Sequence, residues 1–293
     1  MLDLDPSRAL AVPRDAATLL LLRDSPDGPE IFCVERNKAS RFMGGALVFP
    51  GGKVDAADGD EALALRTRGL PLARQGFADT DAHLRALAVA ALRESLEEAA
   101  ILPVAGGIHA DLLALRAELT GGFGGFGALL ERAGLTLDLA ELHPFARWVT
   151  PEAEARRFDA RFFVCRAPDG QPGAHDEGET TASFWATPRA VLERFANDEV
   201  RLAPPTHRCL ELFAELPSVD AAFALATRAD LRPICPALVG QQEGAETLFA
   251  LTLPGDPEHP LAEPRVPGRS RYVNRAGKFV PEDAPATAQR RAP

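Results

Sequence analysis

Three observations predict an α/β fold. Two apolar runs, 16–22 (AATLLLL) and 30–35 (EIFCVE), flank the turn sequence DSPDGP and read as a buried β-hairpin. From Asp81 the pattern changes: Leu84, Leu87, Ala88, Ala91, Leu92, Leu96 and Ala99 recur near the helical period and predict one long helix. Strand-like and helix-like segments then alternate as far as residue 253.

Taken in order, the hairpin leads into the polar loop ERNKASRFMGG and a short apolar run, Ala46 to Phe49, which Pro50-Gly51-Gly52 must end as a loop. Asp79, Thr80 or Asp81 can cap the long helix, and Pro103 is expected to stop it. Two short helices are expected at 109–119 and 127–134, joined by TGGFGGFG. Strands are expected at 145–149, 158–165, 181–185 and 247–253, and helices at 188–196, 205–215 and 218–228. Beyond Pro254, Pro, Gly, Arg and Glu accumulate without periodicity. The expected organisation is one domain over 1–255 with helical insertions at 59–80 and 105–142. An irregular tail would follow over 256–293, disordered from about 282.

The chain has 293 residues and a formal net charge of −10, which argues against non-specific nucleic-acid binding. Its longest apolar stretches, such as Ala86 to Leu92, are too short to span a bilayer, and MLDLDPSRAL lacks a signal-peptide core. Four widely spaced cysteines, with no CxxC pair, read as reduced thiols. A cytoplasmic setting is expected, and a homodimer stays open.

The chemistry concentrates in Arg93-Glu94-Ser95-Leu96-Glu97-Glu98. Glu94, Glu97 and Glu98 stand at i, i+3 and i+4 and share one helix face. Like charges at this spacing cost roughly 0.2–0.5 kcal/mol per pair. Carboxylates near a helix C-terminus cost roughly 0.3–1 kcal/mol more against the dipole. A broken local rule marks a functional site, and a hard divalent cation such as Mg²⁺, or Mn²⁺ in its place, would reverse both penalties. Arg93 can reach Glu97 one turn on. The plain alternative is a solvated acidic face. Phe49-Pro50-Gly51-Gly52-Lys53-Val54-Asp55 weighs against it, since two glycines after a strand permit close backbone approach to a ligand or metal.

Together these segments resemble the Nudix hydrolase signature: Gly, five residues, Glu, seven residues, then Arg-Glu-apolar-any-Glu-Glu-any-Gly-apolar. Gly52 stands as its glycine, Arg93 to Glu98 as its core and Ile101 as its last apolar residue. Asp58 stands where the family has Glu, Ser95 replaces an apolar residue, and Ala100 replaces the second glycine. Arg93 follows Gly52 by 41 residues instead of 14, an insertion of 41 − 14 = 27 residues. That long insertion is similar to the acyl-CoA/CoA diphosphatase branch, the Nudix type 19 proteins and their bacterial relatives. Trp148-Val149-Thr150-Pro151 with Arg157-Phe158-Asp159 and Phe162-Phe163 resembles the WxTP…RFDxxFF block of that branch. Phe184 to Pro188 and Glu199 to Thr206 extend the likeness, which covers about 15–255.

The resemblance implies a Nudix-type mixed sheet sandwiched between helices and Mg²⁺-dependent hydrolysis of a nucleoside diphosphate linked to another group. It points to CoA or acyl-CoA first. ADP-ribose, NADH or a catalytically silent nucleotide-sensing domain remain as alternatives. It makes Glu94, Glu97 and Glu98, with the Gly52 carbonyl, the metal ligands. Arg93 would hold Glu97, and Glu94, Glu97 or a distal glutamate (Glu177 or Glu179) would be the base. Arg36, Lys38 and Arg41 lie ahead of the glycine loop and could meet phosphates, with Gly51 beside them. Arg157 and Asp159 could instead form an internal ion pair. Trp148 and Trp185 are expected in the core or a pocket wall. Gly122 to Gly127 matches GxGxxG but follows a helical segment, so it reads as an interhelical loop and a candidate lid. The chain ends Arg-Ala-Pro, not Ser-Lys-Leu, which fits the cytoplasmic expectation.

Overall fold

The computed structural model describes residues 10–37, 44–72, 76–108, 110–122, 124–176 and 180–285. β1 (Arg14–Ser25) and β2 (Gly28–Arg36) form the expected hairpin, paired from Leu22↔Ile31 to Ser25↔Gly28. β3 (Ala46–Val48) and β4 (Gly51–Lys53) follow. The segment 59–80, expected as a helical insertion, holds little helix. A 3-10 turn (Ala56–Gly59) precedes the single-turn α1 (Glu61–Ala64), and β5 (Thr67–Arg68) pairs with β6 (Leu137–Asp138). Pro71, Gly69 and short apolar stretches interrupt any long helical period here.

α2 (Asp81–Ala99) is the long helix. Of the three capping candidates Thr80 does the work, its side chain accepting from His83 N. Pro103 does not end the helix. Ala100 does, in the left-handed region at φ 50°, with its N–H donating to Leu96 O. A β-carbon there costs roughly 1–2 kcal/mol, which is why glycine is usual at such a cap. Ser95, buried among apolar neighbours, donates its hydroxyl to Ile101 O and so tightens the same turn. α3 (Leu112–Thr120) and α4 (Gly125–Arg132) form the second insertion, with the glycine-rich loop between them. They cover α2 on the side away from the sheet, so Leu87 to Arg93 are buried all round.

β7 (His143–Val149), β8 (Phe158–Arg166) and β9 (Thr180–Ala186) complete most of the main sheet. After α5 (Pro188–Ala196), β10 (Arg201–Leu202) closes its edge. The strand order is β10-β3-β2-β1-β8-β7, with β4 on β1 and β9 on β2. β1 runs parallel to β8 and antiparallel to β2 and β4, so the sheet is mixed. α2 packs on the face bearing Ala17, Leu19 and Leu21. α5, α6 (Pro204–Phe213) and α7 (Val219–Ala226) pack on the face bearing Leu20 and Leu22.

The tail from 256, expected to be irregular, carries a hairpin. β11 (Ala237–Glu243), β12 (Glu246–Thr252), β13 (Arg271–Arg275) and β14 (Lys278–Glu282) form an antiparallel sheet in that order. The turn between β13 and β14 puts Ala276 and Gly277 both at positive φ, the two-residue geometry that suits strand twist. Leu251, Tyr272 and Phe279 anchor this sheet in the α6/α7 core. The end expected to be disordered falls, over 286–293, outside the described residues.

Candidate active site

The site forms where β4 meets the last turns of α2. Pairing of Ala17 with Gly52 and Thr18 with Gly51 lays the glycine strand against β1, over α2. A β-carbon on Gly52 would collide with the Glu94 carboxylate, and one on Gly51 with the Ala17 carbonyl. Both glycines are therefore steric requirements. The Gly51 N–H donates to Glu98 Oε2 at 3.0 Å. Gly51 thus orients a carboxylate with its N–H while lining the cavity.

Arg93 organises the acidic face. Its Nε and Nη2 grip Asp58 at 2.9 and 3.1 Å, Nη1 donates to Glu94 at 2.8 Å and Glu97 at 3.2 Å, and Nη2 also reaches Lys53 O at 3.0 Å. Asp58, shorter by one methylene than the family's glutamate, still makes the two-point contact, and it also accepts from Asp55 N at 2.8 Å. The 27-residue insertion therefore leaves the carboxylate in place beside Arg93. Burial pushes the Glu94 carboxyl up to about 7, with Arg93 opposing the shift and Glu97 adding to it. Burial raises Glu97 as well. One guanidinium thus faces Asp58, Glu94 and Glu97, so the cluster holds surplus negative charge.

A cavity of about 670 Å³ opens over these groups. Glu94, Glu97, Glu98, Gly51, Gly52 and Arg36 line it at the acidic side. Arg36 Nε is buried without a hydrogen-bond partner among the described residues. Trp148, Phe162, Leu251 and four prolines, Pro151, Pro204, Pro205 and Pro236, give the cavity an apolar wall. Arg156 and Asp176 also line it and were not singled out as binding residues. Asp176 accepts from the backbone and hydroxyl of Thr180 at 3.0 and 2.7 Å. Its only signal in the sequence is its place in the acidic run His175 to Glu179.

Other expectations fall elsewhere. Lys38, Arg41, Glu177 and Glu179 lie outside the described residues. Arg157 and Asp159 do not pair with each other. Arg157, just before β8, donates to Thr150 O and Ala11 O, and Asp159, within it, accepts from Arg147 at 2.7 and 2.9 Å. Trp185 leaves the pocket to Trp148, packing edge-on against Phe32 and donating to Pro172 O.

The family model of the NUDT19 Nudix domain matches residues 13–212. The chain belongs to this family. As a member it is a Nudix hydrolase, and Nudix hydrolases generally use a divalent metal ion. The chain is 27% identical to the chicken acyl-coenzyme A diphosphatase NUDT19, over 91% of this chain and 85% of that protein. It is 28% identical to the human protein of the same name, over 61% of this chain and 59% of that one. A crystal structure of a Nudix hydrolase from Alicyclobacillus acidocaldarius, 33% identical, superposes with a TM-score of 0.65 and covers 74% of this chain and 97% of that one. The matched region ends before β11, so Pro236, just ahead of that strand, and Leu251 of β12 join the pocket from outside the matched range. Among the described residues no helix is long and apolar enough to cross a membrane.

Proposed function

We propose that this Nudix hydrolase cleaves the pyrophosphate of coenzyme A or acyl-CoA to 3′,5′-ADP and (acyl-)phosphopantetheine, with a water adding across the P–O–P bond. The carrying observation is a single cavity that joins an acidic, arginine-braced end to a long apolar wall. The acidic end suits a metal-bridged pyrophosphate, and the apolar wall suits a pantetheine arm and its acyl group. The names of the chicken and human relatives support the same substrate class.

The residues fit a divalent cation. Surplus carboxylates in a buried site, one of them raised to about 7, are what a cation would neutralise. Among the described residues no three such groups already form a cage, and Glu94 and Glu97 are turned onto Arg93. We assign Glu94, Glu97 and Glu98, with the Gly52 carbonyl, to Mg²⁺ or Mn²⁺. The ion would supply charge neutralisation of the pyrophosphate and activation of the attacking water. Arg93 and Asp58 keep the glutamates in place, and Gly51 fixes Glu98 by its N–H. Arg36 Nε, without a hydrogen-bond partner among the described residues, suits a phosphate oxygen. The proton from water goes to a carboxylate, for which Glu94, Glu97 and Glu179 are the candidates. A cytoplasmic setting belongs to this reading, supported by four cysteines that are all unpaired.

The test presents CoA, acetyl-CoA, a long-chain acyl-CoA, ADP-ribose and NADH to the purified protein with Mg²⁺, and measures products. Release of 3′,5′-ADP from the CoA compounds, absent in Glu98→Gln, is expected. Turnover of ADP-ribose or NADH alone would keep the enzyme class and reject the substrate.

A further inference from the structure

The strand register lays a straight path across the sheet. Lys53 pairs with Ala16, Ala16 with Ala160, and Ala160 with Trp148. Residues directly opposite one another in a sheet point to the same face. All four line the cavity. The row therefore starts beside the glycine loop and runs three strand spacings, about 14 Å, to the indole. Two alanines in the middle leave open floor above them. A tryptophan, 3% exposed, closes the end.

The row continues past that closure. Trp148 bridges to Ile234. Ile234 lines a second cavity, of about 420 Å³, and Trp148 lines this one too. Phe145, Ala146, Leu212, Leu225 and Val266 are among its other apolar lining residues. Arg208, Arg228, Asp230 and Arg265 also stand in its wall, and Arg208, fully buried, turns Nη1 and Nη2 to the carbonyls of Pro267 and Arg269. Trp148 thus stands between two cavities, each with an apolar wall, on one sheet face.

We propose that Trp148 is the partition that sets acyl-chain length. Accepting the CoA reading above, the pyrophosphate sits at the carboxylates and the pantetheine arm crosses Ala16 and Ala160. The acyl group then ends against the indole. Short acyl chains fit in front of Trp148. Long ones meet the ring, and the cavity behind it is unused space that opens only when the ring is removed.

The experiment measures kcat/KM of the full-length protein with Mg²⁺ on CoA, acetyl-CoA, octanoyl-CoA and palmitoyl-CoA, for wild type, Trp148→Ala, Trp148→Leu and Trp148→Phe. Near-ultraviolet circular dichroism identifies which variants are folded. Trp148→Ala should raise the palmitoyl-to-acetyl ratio tenfold or more, with Leu and Phe graded between it and wild type. Calorimetric binding of palmitoyl-CoA in EDTA, below its micellar concentration, should tighten in the same order. If Trp148→Ala does not fold, the Leu and Phe variants carry the same expectation at shorter chain lengths. A ratio unchanged in every folded variant overturns the partition. Equal loss on CoA and on all acyl-CoAs overturns it too, since the indole would then contact the part common to all. Failure of the wild type to cleave any CoA compound is a different result, which rejects the substrate reading itself.

Discussion

Two buried arginines organise two ends of this molecule, and they are not alike. Arg271 in the C-terminal sheet is wholly buried and grips Asp256 at 2.6 and 2.9 Å, with Gln241 at 2.9 Å. Asp256 is itself buried and also accepts from Ser270 Oγ. That pair is balanced, and the second acid on Arg271, Glu258, is partly solvated. Arg93 instead faces more carboxylates than it can neutralise, beside an open cavity. A balanced buried pair holds two chain segments together. An unbalanced one keeps charge in reserve for a ligand. The first clasps the 254–270 loop to its sheet, and the second lies at the candidate site.

The comparison predicts different losses at the two ends. Glu98→Gln should cut turnover on the order of 1000-fold while leaving the unfolding midpoint in place, as seen by product assay and thermal melting. A midpoint collapse would make Glu98 structural and erase the contrast. Gly52→Ala, which drives a methyl group into Glu94, should cost about 100-fold in kcat by displacing that carboxylate. Arg271→Ala should do the reverse. Urea denaturation should show about 3–5 kcal/mol of lost stability, because Asp256 is left buried and unpaired, while activity per folded molecule persists.

A smaller effect concerns pH. Burial, only partly offset by Arg93, holds the Glu94 carboxyl near 7 in the fold against its ordinary 4.5. The folded protein therefore binds this proton more tightly than the unfolded chain. The resulting stabilisation is complete below about 4.5 and is lost as pH rises through about 7. In EDTA, melting temperature should rise as pH falls from 8 to 6, and Glu94→Gln should flatten that slope. Added Mg²⁺ should remove most of the slope by supplying the missing positive charge.

The legible parts of the sequence were those where local pattern and burial agree. The hairpin, α2 and the strands at β7 to β9 each carry a clean period, and each is found near its expected bounds. Glu94, Glu97 and Glu98 stood out because their spacing breaks helix rules. The C-terminal hairpin was missed because its strands, RYVNR and KFVPE, are short and charged at their ends. Arg271 reads as a surface residue until Asp256, fifteen positions earlier, is seen beside it. The pairing of Arg157 with Asp159 failed for a related reason. Residues two apart on a strand share a face, but each found a better partner on another segment.

By itself, the sequence determined the family that the chain belongs to and the candidate residues for its chemistry, since motif spacing and helical period are one-dimensional facts. Tertiary structure alone decided that Asp58 still reaches Arg93 across the insertion. It decided that Gly51 serves Glu98, and that Ala16, Ala160 and Trp148 stand in one row. The physical reason is that strand register joins residues more than a hundred positions apart, and no local periodicity encodes which strand lies beside which.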